Sequence, residues 1–534
     1  MKRTLPFAAA AACALAALPA RGQQPAPAAP PASPAWTSSD PVLQRIWDEG
    51  MNGSRAQNIG QTLMDSVGPR LTGSPNIQAA YDWAVRQYRA WGITARAEQW
   101  GTWRGWERGY THVDLVAPRV RTLEGTMLAW SPGTDGPATG SVVILPDVAD
   151  STAFRAWLPS ARGRFVLVSA PQPTCRPDEN FAKWALPESF ERMKAERTAA
   201  AQAWSARVQK TGFDGRTLPR ALEDAGALGV VTNLWSQGWG VDKIFNARTL
   251  RAPTIDLSCE DYGLVYRLAA NNQGPQLRVD AQARFPGDLP ASNVIAEMRG
   301  ARKPGEYVML SAHFDSWDGG SGATDNGTGT VVMMEAMRIL KAVYPRPSRT
   351  ILAGHWAGEE QGLNGSRAYV EDHPEVVSGL QALFNQDNGT GRVRNFSYQG
   401  FTGVGPFFRR WFAMLPPVLA DSLTIGDPGL PSSGGTDNAS FVCAGAPAFG
   451  LGSLSWDYGT YTWHTNRDTY DKVSWDDVRM NATLTAMLAY LASEEPQRLP
   501  RDRRTEFPVD QRTGQRGSWP ACQAPARNTA QSTR

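Results

Sequence analysis

Three predicted strands of this chain run directly into side chains that bind divalent metals or move protons. The strands are predicted at 307–312, 350–354 and 382–385, and the side chains that follow them are His313, Glu359 with Glu360, and Asp387. Catalytic zinc takes imidazole and carboxylate ligands, and a carboxylate is able to bridge two metal ions. This pattern of residue types indicates metal-assisted chemistry at the ends of the strands.

Two further motifs offer ligands of the same kind. The glycine-rich turn Gly322-Ala-Thr-Asp325-Asn-Gly enters a predicted helix and is able to present Asp325 inward, while His464 lies between Trp463 and Asp468. The chain has only five histidines, so two of them inside motifs carry more weight together than either motif does alone. The remaining histidines are interpreted as structural, and they are His112, His355 and His373.

The elements that position these motifs alternate between strand and helix from residue 290 onward. A further strand is predicted at 448–451, and helices are predicted at 327–343, 362–371, 406–415 and 475–493. This alternation favours an α/β domain of three layers, with helices on both faces of a mixed, mostly parallel sheet. Ligands of such sheets bind beyond the carboxyl ends of the strands, which is where the motifs lie.

The segment before this domain has a different texture. Residues 40–118 are helical at first, with helices predicted from Asp40 and from Asn76, whereas residues 119–285 contain short β-rich runs. The change predicts a separate β-rich domain at 119–285, inserted between two parts of one larger domain, 40–118 and 286–498. A polar, alanine-rich stretch at 187–210 is predicted to form a solvated helix.

The two ends of the chain are predicted to lie outside the folded part. Residues 1–22 have the charged start, apolar run and small residues of a secretory signal peptide, so the protein is expected to be exported. Anchoring as a lipoprotein through Cys13 is a weaker alternative. Residues 23–39 and 499–534 are rich in proline and polar residues, which predicts a disordered linker and a disordered tail.

Charge and cysteine content narrow the partners and the compartment. A net charge of +3 is too small to argue for nucleic acid as a partner, and no segment is long and apolar enough to predict a membrane span. After the signal peptide four cysteines remain, an even number that allows one or two disulfides in an oxidising compartment. Their pairing stays open at this point, and they are Cys175, Cys259, Cys443 and Cys522.

Taken together, the motifs resemble those of the co-catalytic zinc aminopeptidase family that includes glutamate carboxypeptidase II. The matching motifs are His313-x-Asp315, Gly322-Ala-x-Asp325-Asn-Gly, Glu359-Glu360-x-Gly-Leu-x-Gly365-Ser, Asp387, the segment 432–441, and His464-Thr-x-x-Asp468-Thr-Tyr-Asp. The segment 313–318 most resembles the plasma glutamate carboxypeptidase (carboxypeptidase Q) branch. The resemblance covers residues 40–495, and it implies that the β-rich insert is a protease-associated domain.

The resemblance also implies a role for each ligand. Asp325 bridges two zinc ions, with His313 and Asp387 on one ion and Glu360 and His464 on the other. Glu359 is then the general base, which takes a proton from the metal-activated water and delivers it to the leaving amine. The implied cofactor is two zinc ions per chain, and the implied substrates are short peptides. A homodimer is left open.

Further residues near these motifs receive predicted supporting roles. Asp315 is expected to accept a hydrogen bond from the His313 imidazole, and Asp468 either orients the His464 loop or caps a turn. Asp437 is either a substrate contact or structural. Some relatives have tyrosine immediately before the last metal-binding histidine, whereas this chain has Trp463, so the donor to the tetrahedral intermediate stays unassigned. The other candidates for contact with substrate are Tyr461 and Tyr458.

Other functions remain to be weighed against an aminopeptidase or dipeptidase. A carboxypeptidase of the glutamate carboxypeptidase type needs arginine or lysine for the substrate carboxylate, and the sequence cannot place Arg394, Arg409 or Arg467 in a pocket. An acyl transferase like glutaminyl cyclase works with one zinc, which the presence of both His313 and Asp387 disfavours. A non-catalytic binding protein, as in transferrin receptor, is disfavoured because every implied ligand is present.

Overall fold

The computed structural model describes residues 36–532 of the chain. The predicted signal peptide at 1–22 lies outside these residues, as does most of the predicted linker at 23–39. The described part of that linker begins with Trp36, whose ring packs edge-on against Trp47 with centroids 5.7 Å apart.

Strands are numbered here in chain order. They are β1 Thr94–Arg104, β2 Glu107–Ala117, β3 Arg121–Leu123, β4 Gly125–Met127, β5 Ala138–Ile144, β6 Phe165–Leu167, β7 Gly229–Thr232, β8 Thr254–Leu257, β9 Gln276–Arg284, β10 Asp288–Met298, β11 Lys303–His313, β12 Arg349–Trp356, β13 Leu380–Asn385, β14 Val393–Ser397, β15 Thr424–Gly426 and β16 Ala448–Ser453.

The α-helices are numbered in the same way. They are α1 Pro41–Asn52, α2 Ala56–Gln61, α3 Pro75–Ala90, α4 Ser151–Trp157, α5 Asp178–Trp184, α6 Pro187–Lys210, α7 Leu218–Asp224, α8 Cys259–Ala270, α9 Thr328–Val343, α10 Asn364–Asp372, α11 Pro374–Gly379, α12 Gly405–Phe412, α13 Pro417–Ala420, α14 Asn438–Cys443, α15 Tyr458–Tyr461, α16 Trp475–Glu494 and α17 Thr529–Ser532.

Eight strands form the first sheet, in the order β1-β10-β12-β11-β13-β16-β14-β15. Its centre, β12-β11-β13-β16, is parallel. The pairs β1–β10, β10–β12 and β14–β16 are antiparallel, and β15 pairs parallel with β14. Every residue of β12 and β13 is buried, because helices cover both faces of these central strands. The predicted class, a three-layer α/β domain with a mixed, mostly parallel sheet, is confirmed.

Two apolar clusters hold the helices against this sheet. On one face α1, α3, α9 and α16 bury side chains such as Leu43, Tyr88, Met337 and Leu488. On the other face α10, α11 and α14 bury Tyr369, Val376 and Phe441. Helix α1 starts where the sequence predicts, because the Asp40 side chain accepts hydrogen bonds from the main-chain N–H groups of the first turn and proline follows it.

A second sheet of eight strands, in the order β3-β2-β9-β5-β6-β7-β8-β4, lies within residues 107–284. We refer to these residues as the insert. Its sheet already begins at Glu107, before the boundary at 119 that the sequence predicts, because β1 and β2 are separated by only two residues, Gly105 and Trp106. The insert has its own buried apolar clusters, centred on Phe165 and Val230. Helix α6 is largely exposed, as predicted for 187–210, and only Met193 is buried on it.

The end of the chain differs from its predicted disorder. Residues 499–532 pack along the domain built on the first sheet, which we call the first domain. Cys522 in this segment forms a disulfide with Cys443 at the end of α14. Further on, Arg527 accepts a hydrogen bond from Thr102 of β1 through its carbonyl oxygen, and its guanidinium pairs with Asp372 at 2.7 Å. These long-range contacts hold a segment whose composition alone does not predict a fold.

A second disulfide lies in the insert, where Cys175 pairs with Cys259. The sequence left this pairing open, and the fold decides it by bringing the start of α8 against the loop before α5. Among residues 36–532, no helix is both long enough and apolar enough to cross a membrane.

Candidate metal centre

The carboxyl ends of two adjacent parallel strands carry the first pair of candidate ligands. Strand β11 ends at His313, and its neighbour β13 ends two residues before Asp387, with Ser311 and Asn385 in register. The His313 Nε2 atom therefore lies 3.1 Å from the Asp387 Oδ1 atom. Neither strand could bring these side chains together alone, since they are far apart in sequence.

Asp325 lies between the two histidines of the centre and presents one carboxylate oxygen to each. Its Oδ1 atom is 3.3 Å from His313 Nε2, and its Oδ2 atom is 3.4 Å from His464 Nε2. On the far side, His464 Nε2 is 2.8 Å from Glu360 Oε2. The result is two clusters of three ligand atoms with Asp325 common to both, and within each cluster the atoms lie within 4.8 Å of one another.

The imidazole of His313 is held with its Nε2 atom toward this centre. Its Nδ1 atom donates to a carbonyl oxygen at 3.0 Å, which leaves Nε2 as the free ligand atom. That carbonyl belongs to the main chain of Asp315, whereas its carboxylate comes no closer than 3.8 Å to Nδ1. The sequence-based expectation that the Asp315 side chain accepts this hydrogen bond is therefore wrong. The acceptor belongs to Asp315, but it is the main-chain carbonyl oxygen.

The Asp315 carboxylate instead holds the loop that follows β12. It accepts the main-chain N–H groups of Glu359 at 3.2 Å and Glu360 at 3.3 Å, and the hydroxyl of Thr72 at 3.0 Å. Asp315 is fully buried, and this burial raises its pKa. A single carboxylate thus fixes the backbone from which both Glu359 and Glu360 project.

Asp468 has a similar function for the bridging residue. Its two carboxylate oxygens accept the main-chain N–H groups of Thr324 at 2.7 Å and of Asp325 at 3.0 Å. Burial, together with the nearby charge of Asp325, raises the pKa of Asp468 to about 7. Asp468 therefore orients the turn that carries Asp325, and not the His464 loop that it follows in sequence.

A buried arginine that the sequence did not single out completes this support. The Arg70 guanidinium donates to main-chain carbonyl oxygens on two other segments, at Phe314 (2.7 Å), Ser321 (2.9 Å) and Gly322 (2.8 Å). Arg70 has no exposed surface, and its burial lowers its pKa to about 10. The sequence around Arg70 contains no metal-ligand motif, so it gave no reason to single this residue out.

Charge is crowded in this part of the molecule. Burial raises the pKa of Glu359 well above its usual value, and the negative charges of Asp387 and Glu360 raise it further. Burial raises the pKa of Glu360 in the same way, with a further contribution from Asp325. Buried like charges at this separation are costly unless a cation neutralises them.

The donor set fits divalent cations. Within residues 36–532, Asp325 Oδ2 and Glu360 Oε1 are buried oxygens with no hydrogen-bond donor of their own. They lie close to the imidazoles of His313 and His464, and nitrogen with carboxylate oxygen is the ligand combination of catalytic zinc. The indole of Trp317 donates to Glu360 Oε2 at 2.8 Å, a contact that the sequence did not predict.

The aromatic side chains near His464 differ in what they contact. The Tyr461 hydroxyl donates to Glu179 of α5 at 3.0 Å, and its contact with substrate stays a prediction. The Tyr458 hydroxyl faces Asp325, and burial with the charges of Asp325 and Asp387 raises the pKa of Tyr458 well above its usual value. Trp463 stacks on the His464 ring with centroids 3.9 Å apart and is 37% exposed.

Asp437 lies buried near the same centre. Burial raises its pKa to about 7, and its negative charge in turn raises the pKa of Glu359. It precedes α14, where the motif at 432–441 enters the domain. Its place beside Glu359 is compatible with either of the two roles that the sequence allowed.

The insert reaches the centre through one loop that the sequence did not predict. The main-chain N–H of Ile244 donates to the His464 carbonyl oxygen at 2.6 Å, and the Phe245 ring meets the His464 ring edge-on with centroids 5.2 Å apart. Lys243 donates to the carbonyl oxygen of Trp463 at 3.1 Å, and its Nζ atom lies 4.1 Å from the Trp463 ring centroid. One wall of the cleft is therefore supplied by the insert.

Comparison with known sequences identifies similar proteins for the part of the chain that contains the candidate metal centre. Residues 293–489 match the family described as Peptidase family M28. Carboxypeptidase Q of Rattus norvegicus is 25% identical over 439 residues, which are 82% of this chain and 85% of that protein. Carboxypeptidase Q of Homo sapiens is 24% identical over 440 residues, with the same coverage. The resemblance stated from the motifs is confirmed.

Solved structures share the fold. A peptidase M28 precursor from Shewanella amazonensis SB2B superposes with a TM-score of 0.63 at 22% identity, covering 86% of this chain and 97% of that chain. The zinc aminopeptidase BSAP of Bacillus subtilis gives a TM-score of 0.50 at 19% identity, covering 81% of this chain and 93% of that chain. At these identities the likeness concerns the fold.

Proposed function

We propose that this chain is an exported, zinc-dependent exopeptidase of Peptidase family M28 that removes the terminal residue of short peptides. The observation that carries the proposal is the position of Asp325, whose two oxygens each face a different histidine at 3.3 and 3.4 Å. A carboxylate held between two such imidazoles is suited to bridging a pair of metal ions.

Two zinc ions per chain are part of the proposal. His313 and Asp387 would hold one ion, Glu360 and His464 would hold the other, and Asp325 would bind both. Bound zinc supplies a water of lowered pKa and polarises the scissile carbonyl. Two carboxylates fix the main chain of the proposed ligands. Asp315 accepts the N–H of Glu360, and Asp468 accepts the N–H of Asp325.

Glu359 is proposed as the general base. Its backbone is held by Asp315, and its carboxylate lies in a cluster with His313 and Glu360 while belonging to neither of the two clusters that share Asp325. Burial raises its pKa, which makes the carboxylate a better proton acceptor than an exposed one. Tyr458 is proposed as the donor to the tetrahedral intermediate, because its hydroxyl faces the centre while that of Tyr461 does not.

An aminopeptidase or dipeptidase is favoured over a carboxypeptidase. The arginines that the sequence offered as carboxylate binders are engaged elsewhere: Arg394 donates to the Ser422 carbonyl oxygen, Arg409 pairs with Asp427, and Arg467 pairs with Glu124. The Arg70 guanidinium donates to main-chain carbonyl oxygens and is therefore also engaged. Asp437 adds negative charge near Glu359. An anionic cleft attracts the substrate's α-ammonium group rather than its carboxylate.

The names of the related proteins point in both directions, since the relatives are carboxypeptidase Q while a structural neighbour is a zinc aminopeptidase. Purified protein should therefore be assayed in parallel on aminoacyl amides, on dipeptides and on peptides blocked at one end. We expect hydrolysis of substrates with a free N-terminus, loss of activity with chelator and recovery with zinc. Cleavage confined to N-acetylated peptides with a free C-terminus would favour the carboxypeptidase alternative.

Metal content and one substitution test the chemistry directly. Elemental analysis is expected to give two zinc ions per chain. One zinc ion per chain would favour an acyl transferase, and the absence of zinc would favour a binding protein. Glu359→Gln should retain this zinc but lose about 10²- to 10⁴-fold in kcat, the range for general-base groups. The matched control is Glu371→Gln on the exposed side of α10, which should keep wild-type rates. Wild-type kcat in Glu359→Gln would refute the assigned role.

Export is proposed together with this activity. The sequence begins with the features of a signal peptide, and the described part of the chain contains two disulfides, which persist in oxidising compartments. N-terminal sequencing of the protein from the extracytoplasmic fraction should show a start near residue 23. Recovery of the uncleaved chain from the cytoplasm would contradict the proposal.

A further inference from the structure

A groove of about 800 Å³ in the insert collects arginines from separate segments of the chain. We call it the arginine groove, and it is bounded by α4 and the turn after it, by the loop before α7, by α7 itself and by the loop before β8. Its floor is apolar, formed by Leu158, Pro159 and Phe213. Its arginines are Arg155, Arg162, Arg216, Arg220 and Arg248.

The acidic residues near this groove already have partners. Asp224 pairs with Arg251 at 2.5 Å, and Glu223 accepts main-chain N–H groups from the segment 250–252 as well as facing Arg220 at 3.4 Å. Asp214 accepts the hydroxyl of Thr217 at 2.7 Å and two main-chain N–H groups. These carboxylates therefore have little capacity left to neutralise the remaining arginines.

Two of the arginines have no acidic partner at all. Within residues 36–532, Arg155 and Arg162 form no ion pair and donate no side-chain hydrogen bond. The pKa of Arg248 is lowered by burial and by the like charge of Arg216, and the charge of Asp214 offsets part of this effect. Guanidinium groups gathered in one groove repel one another, and an anion bound in the groove would relieve that repulsion.

We propose that the arginine groove binds an acidic peptide segment that carries both carboxylate and apolar side chains. Guanidinium groups bind carboxylates in a bidentate manner, and clusters of arginine are a recurrent means of recognising acidic motifs. The apolar floor adds contact area for leucine-like side chains, which a free inorganic anion would leave unused. The groove lies in the insert and uses no residue of the metal centre, so this proposal is independent of the proposed peptidase activity.

Fluorescence anisotropy with a labelled hexapeptide of alternating glutamate and leucine tests the assignment. The peptide is acetylated at one end and amidated at the other, so that an exopeptidase cannot shorten it. The full mature protein should bind it with an affinity that falls as salt rises. A peptide of the same sequence with glutamine in place of glutamate should bind at least about tenfold more weakly, since each arginine–carboxylate pair contributes to binding.

The double variant Arg155→Gln/Arg162→Gln should lose at least about tenfold in affinity for the acidic peptide. Both side chains are exposed, so the fold should be retained, and an unchanged urea midpoint checks this. The matched control is Arg192→Gln, an arginine on α6 that is 65% exposed and lies outside the groove, and it should bind as the wild type does. Hydrolysis of an aminoacyl amide should be the same in all three proteins.

Three results would overturn the proposal. The glutamine peptide binding as tightly as the glutamate peptide would exclude recognition of charge. Unchanged affinity in the double variant would place any binding elsewhere on the surface. Tighter, Arg155-dependent binding of inorganic phosphate or of a short oligonucleotide would assign the groove to another class of ligand. Because chelator should leave peptide binding intact, failure here is distinguishable from failure of the zinc site.

Discussion

The main-chain N–H of Ile244 donates to the main-chain carbonyl of His464 at 2.6 Å, so the insert contacts a residue of the metal centre directly. His464 itself has a φ of +59°, in the left-handed region that non-glycine residues rarely adopt. Such a conformation persists only where surrounding contacts over-determine it. The loop of the insert around Ile244 supplies several of those contacts.

Asn466 is the residue through which we expect this coupling to be measurable. Its side chain accepts the N–H of Asp242 at 3.0 Å and donates to the Gly240 carbonyl oxygen at 3.0 Å. Asn466→Ala should weaken zinc binding about 10- to 100-fold, the range seen when groups that orient metal ligands are removed. Competition with a fluorescent chelator measures the affinity for each ion.

A matched substitution within the insert separates this effect from a general loss of stability. Asn271→Ala removes a side chain that donates to the Arg267 carbonyl oxygen of its own helix, far from the His464 loop in sequence. It should leave both zinc affinities unchanged. Equal losses in the two variants, or none in Asn466→Ala, would show that the insert does not hold the metal ligand in place.

Tyr458 and Tyr461 offer a comparison between two tyrosines of one short helix. Tyr458→Phe should lower kcat by about 10²-fold, within the range for removing one donor to a developing oxyanion, while zinc content stays at the wild-type level. Tyr461→Phe removes only a hydrogen bond to Glu179 at 3.0 Å and should keep its kcat. Steady-state kinetics on an aminoacyl amide measures both. If the two variants behaved alike, the oxyanion donor would have to be sought elsewhere.

The stability of the chain should fall at acidic pH because of His355, which lies at β12 and whose Nε2 atom is 2.7 Å from the Tyr88 hydroxyl. Burial lowers the pKa of His355 to about 3, whereas an unfolded histidine titrates near 6.5. Between these values the unfolded chain binds a proton that the folded chain does not. The free energy of unfolding therefore decreases as pH falls below about 6.5, by about 2 kcal/mol at about pH 5.

Urea unfolding of the wild type and of His355→Gln at about pH 7.5 and about pH 5 tests this linkage. Glutamine keeps an acceptor for the Tyr88 hydroxyl but cannot titrate, so the variant should lose less stability on acidification than the wild type. An identical pH dependence in the two proteins would assign the acid sensitivity to other groups. The buried carboxylates of the metal centre contribute equally to both and cancel in the comparison.

The motifs of the candidate metal centre could be located from the sequence because their signals are local. Parallel strands read as short apolar runs, and a polar residue directly after such a run lies at the ligand-binding edge of the sheet. This is why His313 and Asp387 could be predicted from the sequence to follow the ends of strands. The helices α9, α10 and α16 likewise begin within a few residues of their predicted starts, since apolar periodicity reports them.

Other features depended on contacts between residues far apart in the chain. The role of Asp468 in orienting the turn of Asp325 crosses more than a hundred residues of sequence, as does the support of Arg70 for that turn. Hydrogen bonds of this kind end on main-chain atoms. Because every residue has these atoms, no pattern of residue types predicts such bonds. The cysteine pairs Cys175 with Cys259 and Cys443 with Cys522 were undetermined for a related reason, because four cysteines allow several pairings.

Thus the sequence by itself determined the α/β class of this protein, the types of its candidate metal ligands and the order in which the chain supplies them. Only the tertiary structure decided that Asp468 orients the turn of Asp325, that the insert packs against His464, and that the end of the chain is held to the first domain. The physical reason is that composition and periodicity record what each segment buries, whereas the partner against which a segment packs is chosen by the whole fold.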